Sequence, residues 1–404
     1  MKRIFLFFMI LLFRSSPFFS QPWPFTGVPA DEKAVIDKIN ELFDNGEYEK
    51  AVKTLSYFDD KPDSQYIRQL NAFVNSRNET SPLLDKAVSL FTKGDHAESL
   101  NVVSKFLKEN PGNFNGLVYL TLNLVKTDAK RAVEECDKIL YWFPFNPQFI
   151  AARESAYYEM GEWNLAIKNA DAFLYLNSDS AMFRNRGILY SELGKYDKAL
   201  SDLSESIRLN PIGKNESYLD RAITYYLLGE AEKAEADCNT YINGGGSNVL
   251  VYKNLALIYI LKGKYEKALN FSNTFLKITP ESPEGYCTRA GVYNFLKEYK
   301  KAIKDSDRAL KLDSKFSSAY SVRSEAYMRL GKIKEALSDA NSAIEFAPNT
   351  RVKILDAYKT RGIVYLETKQ KENALADLNK ALEFATTDSE RAEIQALIQK
   401  VKGL

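Results

Sequence analysis

The chain has 404 residues, of which 45% are hydrophobic and 27% are charged, and this composition excludes a disordered chain. Its 55 basic and 53 acidic residues leave a formal net charge of +2. A near-neutral balance provides no electrostatic reason to bind nucleic acid or an anionic membrane, so we expect no nucleic acid among its partners. The three cysteines, Cys136, Cys238 and Cys287, are too scattered to predict a disulfide framework.

The first 20 residues have the pattern of a secretory signal peptide. Lys2 and Arg3 form a basic start, and the apolar run 4–13 follows them. A membrane-spanning helix needs roughly 20 apolar residues, which favours removal on export over the alternative of an uncleaved anchor. We expect cleavage near Ser20, a proline-rich linker over residues 21–30, and a bacterial protein that is periplasmic, envelope-associated or secreted. After removal of the signal we expect no membrane insertion.

Residues 31–179 carry weak copies of a helix–turn–helix pattern. Residues 31–79 form a degenerate helical repeat region whose first repeat begins near residue 32, with a turn at Gly46. Residues 80–179 hold three divergent repeats, which begin near residues 80, 113 and 147. Between residues 63 and 79 the repeat register is lost, although we still expect residues 66–74 to be helical.

A pattern that recurs about every 34 positions governs residues 180–387. It is marked by the tyrosines Tyr190, Tyr225, Tyr259, Tyr293, Tyr327 and Tyr365. Nine residues after each tyrosine stands an alanine, namely Ala199, Ala234, Ala268, Ala302, Ala336 and Ala374. A turn glycine lies between them in most copies and is replaced by Lys297 and Lys369 in two. A period of this length predicts stacked helix–turn–helix repeats and not a single globular core.

Small residues allow the two helices of each repeat to pack closely. In the copy at residues 180–214, Gly187 lies in the first helix and Ala199 in the second, and Asn210-Pro211 ends the repeat. This arrangement resembles the tetratricopeptide repeat (TPR) family. The resemblance implies an all-α, right-handed solenoid, here of about ten repeats. It also implies that the first helices line a concave groove that binds a protein or peptide.

Three departures from the repeat are informative. Gly244-Gly245-Gly246 replaces a helix stop and predicts a soft joint. Four extra residues precede Tyr365 and lengthen either the loop or the next helix around residues 351–355. A polar-rich segment, residues 388–404, follows the last repeat. Because the last helix of a solenoid needs one polar face that is exposed to solvent, we expect this segment to form a capping helix.

No catalytic, cofactor or metal site can be recognised in the sequence. His96 is the only histidine, which excludes a multi-histidine metal site, and it stands at a turn position where other repeats have an aromatic residue. The cysteines lack CxxC spacing, and there is no GxxxxGK[ST] phosphate-binding loop. We therefore expect buried cysteines and a non-catalytic protein without cofactor or metal.

The concave groove is the candidate partner site. In the TPR family, positions 9 and 12 of the first helix face this groove, and in the middle of this array they are apolar. With two polar neighbours, the candidate residues are Ile188, Ile223, Tyr226, Lys253, Asn254, Leu257 and Ile260. An exposed apolar stripe often marks a binding surface; the alternative is that neighbouring helices cover it. One repeat further on, Gly291 and Asn294 predict a more polar surface.

Together these features predict a non-catalytic scaffold that binds a protein or peptide in an exported or envelope setting. Two alternatives stay open: a chaperone-like adaptor for exported proteins, and a noncatalytic subunit of an envelope enzyme or secretion machine. The clamp with which some TPR proteins hold a chaperone peptide's terminal carboxylate is not matched, because Glu284 stands where that pattern needs lysine. Neither the partner's identity nor the oligomeric state follows from the sequence.

Overall fold

The computed structural model describes residues 28–58, 61, 64–76, 81–347 and 351–404. Within these ranges the chain forms 22 α-helices and one 3-10 turn, with no β-strand, which confirms the predicted all-α class. The expected signal peptide and most of the linker lie outside the described residues. The chain divides into two compact units, an N-terminal unit (Met1–Met182) and a C-terminal unit (Phe183–Leu404).

The N-terminal unit contains helical hairpins where the weak repeats were predicted. Its helices are α1 (Ala30–Asp44), α2 (Tyr48–Thr54), α3 (Gln65–Asn75), α4 (Pro82–Thr92), α5 (His96–Glu109), α6 (Phe114–Thr127), α7 (Ala129–Trp142), α8 (Pro147–Glu159) and α9 (Trp163–Leu176). The 3-10 turn, Leu55–Phe58, extends α2. Several helices begin at a side chain that accepts a hydrogen bond from a first-turn N–H, namely Ser64, Ser81, Asp95, Asn113, Asp128 and Asn146. Local capping therefore sets these boundaries.

The first hairpin of the N-terminal unit folds back and does not stack as the first step of an array. Consecutive helices from α4 to α9 pack on one another, whereas α1 reaches α7 and the loop that follows it. The Asn40 amide donates to the Tyr141 carbonyl at 3.0 Å, and the Phe43 ring meets Phe145 with centroids 5.1 Å apart. This differs from the expected arrangement because the loop 143–146 presents aromatic rings that must be covered.

The described residues of the C-terminal unit form six helix pairs and a final helix. These are α10 (Ser180–Glu192), which begins just before the unit boundary, α11 (Tyr196–Leu209), α12 (Ser217–Leu227), α13 (Ala231–Asn243), α14 (Leu250–Leu261), α15 (Tyr265–Ile278), α16 (Pro283–Phe295), α17 (Tyr299–Leu312), α18 (Ser317–Arg329), α19 (Ile333–Glu345), α20 (Arg351–Glu367), α21 (Lys371–Phe384) and α22 (Asp388–Lys402). The predicted capping helix corresponds to α22, which starts with a capping box between Thr387 and Glu390.

Close packing inside each helix pair depends on small residues. A Cβ atom added to Gly187 would lie 2.8 Å from Leu203 Cγ, closer than such atoms approach in proteins, and Ala199 is fully buried. At two turns, Lys297 and Lys369 adopt positive φ angles of 61° and 59°, where other repeats have glycine. These lysines carry backbone strain that glycine avoids.

A ladder of ion pairs crosses the helix pairs of the C-terminal unit, and the sequence pattern described above did not reveal it. In each ion pair, an arginine on the first helix of the repeat donates two hydrogen bonds to an aspartate on the second helix. The pairs are Arg186–Asp202, Arg221–Asp237, Arg289–Asp305, Arg323–Asp339 and Arg361–Asp377, with N–O distances of 2.6–2.9 Å. The pair α14/α15 has Leu255 and Phe271 at these positions, so its rung is apolar.

The glycine run after α13 is packed tightly, so the expected soft joint is not supported. A Cβ atom on Gly244 would lie 2.4 Å from the carbonyl carbon of Gly213, and one on Gly246 would lie 2.3 Å from the Tyr241 ring. Between them, Gly245 adopts a φ of 78°. Each glycine therefore meets a separate geometrical demand, either a close approach or a left-handed backbone.

Candidate partner-binding groove

The first helices of the C-terminal unit line a concave groove. Its walls come from α10, α12, α14, α16, α18 and α20, with the capping helix α22 at one edge. The groove contains two neighbouring cavities of about 570 Å³ and 470 Å³. They share the lining residues Tyr226, Lys253, Leu257 and Lys353, so the two cavities meet at these side chains.

Six of the seven predicted groove residues line these cavities, namely Tyr226, Lys253 and Leu257 in both, Ile223 and Asn254 in the smaller, and Ile260 in the larger. Ile188 on α10 is half-buried and lines neither cavity. The structure thus brings six of the residues together on one surface. Their role in binding a partner stays a prediction.

Neighbouring helices cover this surface only in part. Ile223, Tyr226, Leu257 and Ile260 are neither fully buried nor fully exposed, whereas Asn254 is 4% exposed. Complete cover of the apolar stripe, the alternative considered above, is therefore not what the structure shows. When a partner removes the remaining apolar surface of these half-covered side chains from water, the burial stabilises the complex.

The surface does not become polar at the next repeat. Gly291 lines the larger cavity, but Asn294 is buried and its amide donates to the Val322 carbonyl at 2.9 Å. The adjacent Phe295 lines the cavity instead and is 52% exposed. Its ring stacks on Tyr265 with centroids 5.2 Å apart, so the apolar wall continues across α16. The family positions used for prediction missed Phe295 because it lies one residue after them.

The insertion before Tyr365 lengthens the helix and not the loop. α20 has 17 residues, whereas α12, α14, α16 and α18 have 11 to 13. Its extra first turn places Val352 and Lys353 in the smaller cavity, together with residues of α12 and α14. Lys353 Nζ donates to Ser318 Oγ at 2.9 Å. The insertion therefore brings a cation to the wall that faces α14.

The last helices of the C-terminal unit return towards the first. A Cβ atom on Gly194, in the turn between α10 and α11, would lie 2.4 Å from Oγ1 of Thr386, which precedes α22. Similarly, Tyr226 on α12 lies close enough to Asp356 on α20 to feel its charge. Burial, together with Asp356, raises the pKa of Tyr226 to about 12. The curvature of the array therefore encloses the groove from several sides.

Lys253 lies in the groove near the Glu284 carboxylate but forms no direct ion pair with it. No described residue forms a hydrogen bond or an ion pair with its ammonium group. Burial lowers the pKa of Lys253, Glu284 opposes this effect, and the like charge of Lys353 adds to it. By contrast, Lys359 on α20 is paired with Glu393 at 3.2 Å. The Lys253 ammonium group is thus partly desolvated, which destabilises the folded protein when no partner is bound.

The described part of the chain offers no group of three or more histidine, cysteine, aspartate and glutamate side chains that could hold a metal ion. All three cysteines are buried, and burial raises the pKa of Cys238 and of Cys287 to about 12, so these thiols stay protonated at neutral pH. His96 packs edge-on against Phe91 with centroids 5.1 Å apart. No helix among the described residues is long and apolar enough to cross a bilayer.

Comparison with known families identifies the repeats. A family model described as "Tetratricopeptide repeat" matches residues 185–212, 251–282, 283–316, 317–350 and 355–388. The chain belongs to the tetratricopeptide repeat family. Residues 213–250, which contain α12 and α13 and the glycine run, fall between two matches and still form the same helix pair. The TPR fold is in general a non-catalytic fold for protein interaction.

Solved structures similar to this TPR protein include a thermophilic TPR protein of Thermus thermophilus, which is 19% identical with a TM-score of 0.41 and covers 46% of this chain and 98% of its own. A tetratricopeptide repeat protein of Parabacteroides merdae is 18% identical, with a TM-score of 0.39. The match covers 79% of this chain and 97% of that protein. The pilF protein of Pseudomonas aeruginosa is 18% identical, with a TM-score of 0.44. The match covers 53% of this chain and 96% of that protein. No curated protein matches the sequence. At these identities and scores, the likenesses carry no information about partners.

Proposed function

We propose that this TPR protein is a non-catalytic scaffold that holds a protein or peptide partner in the groove of its C-terminal unit, in an exported or envelope setting. The concave surface of a helical repeat array is the surface that such arrays present to partners. The observation that carries the proposal is the pair of joined cavities of about 570 Å³ and 470 Å³, whose walls combine half-covered apolar side chains with charged side chains of both signs.

The apolar wall can supply enough free energy for a specific complex. Full burial of a large apolar side chain contributes roughly 1.5–3 kcal/mol. Leu257, Ile260 and Phe295 each have surface left to lose, so covering them contributes on the order of 3 kcal/mol before polar contacts are counted. Part of this offsets the loss of freedom on association, so we expect the groove to need several anchors at once.

The groove assignment is tested by recovering partners from the native host with the wild type and with Tyr226→Ala combined with Leu257→Ser. Circular dichroism establishes that the variant keeps its helical content. The matched control changes two exposed side chains outside both cavities, Tyr175→Ala with Ile278→Ser. We expect the control to recover partners normally and the groove variant to lose them. Undiminished recovery by the groove variant contradicts the proposal.

The same experiment separates the scaffold from the alternatives. A single partner at fixed stoichiometry supports a scaffold, whereas many partially unfolded clients support a chaperone-like adaptor. Recovery of an assembled envelope enzyme or secretion machine supports the subunit alternative.

The exported setting is supported only by the pattern of residues 1–20. We expect the mature protein from the native host to lack roughly the first 20 residues, as a signal peptide of this length requires. Intact-mass measurement of the protein from fractionated cells checks this. A chain that still begins at Met1 and resides in the cytosol contradicts it.

A further inference from the structure

The surface of α17 carries a row of cations. Five basic side chains of this helix follow one another at spacings of one, three, four and three residues, namely Lys300, Lys301, Lys304, Arg308 and Lys311. A helix turns by roughly 100° per residue, so these five positions fall within roughly 100° of its circumference and share one face. Lys297 in the preceding turn and Lys315 in the following loop extend the row at its two ends. We call these seven residues the basic stripe.

The basic stripe lies outside the groove. Helix α17 is the second helix of its pair, and none of its residues lines either cavity. Four of the five helical side chains of the stripe are exposed, and the fifth, Arg308, is partly exposed. The stripe is therefore accessible from solvent while the groove is occupied.

Most of the positive charge of the stripe is not compensated. Lys301 pairs with Glu298 at the start of the helix. Arg308 pairs with Glu281 at 2.9 Å. The ammonium groups that form neither an ion pair nor a hydrogen bond with any described residue are those of Lys297, Lys300, Lys304, Lys311 and Lys315. Like charges held this close together repel one another, and an anionic partner relieves that repulsion.

The other second helices of the C-terminal unit have no such row. The alanine that follows each turn, such as Ala268 in α15 and Ala302 in α17, aligns the seven positions of the stripe with those of the other repeats. In α11, α13, α15 and α21 these positions carry equal numbers of acidic and basic residues, and in α19 the acids exceed the bases by one. In α17 all seven are basic. An ordinary solvated helix surface accounts for the other helices and does not account for α17.

The spacing of the stripe matches the period of an α-helix. Its charges advance by three or four residues at a time, which is a rise of roughly 5 Å per step along the helix axis. A partner helix with carboxylates at the same spacing can place one carboxylate beside each cation. In an extended segment, side chains on one side recur roughly every 6.6 Å, so they are out of step by roughly 4 Å after three steps. The period therefore favours a helical partner.

The stripe is narrow, and α17 has no exposed large apolar side chain that could enter a bilayer. Helices that lie in a membrane surface bury such side chains beside their cations. Carboxylates border the stripe, among them Glu281 in the loop before α16 and the half-exposed Asp307 on α17. A wide anionic surface, such as a lipid leaflet or a nucleic-acid duplex, would meet these carboxylates as well as the cations. A single acidic helix along α17 meets the cations alone.

We propose that the basic stripe is a second docking surface, on which an acidic helix of a partner protein lies along α17. The surface is separate from the groove, so the inference goes beyond the proposed function and does not depend on it. Exposed ion pairs each contribute little, so several must form together, and salt should weaken the complex. Opposite charges on the two surfaces also speed their encounter.

The test is a fluorescence anisotropy titration of the full chain with two labelled, end-capped alanine–glutamine peptides of about 20 residues and identical composition, long enough to be helical. In the one-face peptide, four glutamates at spacings of four, three and four residues share one side of the helix. In the scattered peptide, the four glutamates are five residues apart and point in different directions. Circular dichroism establishes that both are helical. In about 50 mM salt we expect the one-face peptide to bind about tenfold more tightly than the scattered one, and at about 200 mM salt to bind about tenfold more weakly than at 50 mM.

Variants assign the binding to the stripe. Lys304→Gln combined with Lys311→Gln removes two uncompensated charges, and lysine and glutamine are similar helix formers, so the helix is retained. We expect this variant to bind the one-face peptide about tenfold more weakly. The matched control is Lys195→Gln with Lys198→Gln, two exposed lysines at the start of α11, and it should bind the peptide as the wild type does.

Equal affinity for the two peptides overturns the inference, because it shows attraction without helical register. So does binding that Lys304→Gln with Lys311→Gln leaves unchanged, and so does the absence of binding at millimolar peptide. Two further probes are a single-stranded oligonucleotide and vesicles with one-third phosphatidylserine. If either binds more tightly than the one-face peptide and is lost in the same variant, the occupant is nucleic acid or a membrane and the inference falls. Self-association that this variant abolishes makes the occupant a second copy.

The groove variant, Tyr226→Ala with Leu257→Ser, keeps the two proposals distinguishable. We expect it to bind the one-face peptide as the wild type does, since no residue of α17 lines the cavities. If the groove variant loses the peptide, the peptide occupies the groove, so the docking surface on α17 falls and the proposed function stands. If partners are recovered by the groove variant but lost by Lys304→Gln with Lys311→Gln, the proposed function falls and the docking surface stands.

Discussion

Replacing Arg289 by leucine removes the cation from one rung of the ion-pair ladder. The Asp305 carboxylate, in a residue that is 7% exposed, accepts hydrogen bonds from Arg289 at 2.6 and 2.9 Å. Breaking a buried pair from one side typically costs about 3–5 kcal/mol, because an uncompensated charge stays behind. The Arg289 side chain is 23% exposed, so water screens part of the interaction, and we expect a loss of about 2–3 kcal/mol.

The protein already contains the compensating change. In α14/α15 the rung consists of Leu255 and Phe271, whose positions correspond to those of Arg289 and Asp305. The double change Arg289→Leu with Asp305→Phe copies this apolar rung and leaves no buried charge. We expect it to regain most of the lost stability and to end within about 1 kcal/mol of the wild type, since buried pairs and well-packed apolar residues are often equivalent.

The assay combines urea unfolding with hydrogen exchange, because repeats of an array open locally as well as globally. We expect the faster exchange of Arg289→Leu to concentrate in α16 and α17. The control is Arg308→Leu, which breaks an exposed pair with Glu281 and should cost less than about 0.5 kcal/mol. If Arg289→Leu costs no more than this control, or if the double change is as unstable as the single one, charge compensation does not explain the ladder.

Three further predictions concern single positions. Ala268→Leu overpacks a fully buried site and should cost about 1–3 kcal/mol, with faster hydrogen exchange confined to residues 215–312; unchanged exchange there contradicts the assigned register. Lys297→Gly should stabilise the protein by about 0.5–1 kcal/mol in urea unfolding because it relieves a positive φ, whereas Lys304→Gly inside α17 should cost about 1 kcal/mol; a loss at both positions argues against strain at Lys297. The pKa of Lys253 is lowered in the fold, so its charged form opposes folding at neutral pH and the penalty fades as the pH rises through that lowered pKa. Lys253→Met should therefore raise the free energy of unfolding at neutral pH by about 0.5–1 kcal/mol, measured by urea unfolding, and raise it less at high pH; destabilisation at both pH values would indicate a structural role.

The fold could be predicted from the sequence because each helix and turn of the repeat is determined by residues that lie close together in the sequence. The tyrosine and alanine spacing determines which faces pack, and even the lysines at turn positions, Lys297 and Lys369, take the backbone conformation that the pattern requires. The fold-back of α1 could not be predicted in this way. Its contacts join residues about a hundred positions apart, such as Asn40 and Tyr141, and no local pattern encodes them.

The groove was predicted in part, and for a similar reason. Family positions on the first helices found Tyr226, Lys253, Leu257 and their neighbours, because these helices keep the register of the repeat. Lys353 was missed, since its place opposite α14 depends on the summed curvature of several repeats. The ion-pair ladder, by contrast, could have been predicted. Its arginine and aspartate lie sixteen residues apart in the sequence, and this spacing recurs in register from repeat to repeat.

The approach of the turn at Gly194 to Thr386 restricts how this protein can evolve. Most solenoids gain or lose a repeat with little harm, because each repeat touches only its neighbours. Here the two ends meet only if the intervening helix pairs add up to the right rotation. Duplicating or deleting one pair would separate Gly194 from Thr386 and carry Lys353 away from Lys253. The number of repeats therefore acts like the ring size of a macrocycle, since it determines which groups face each other across the interior.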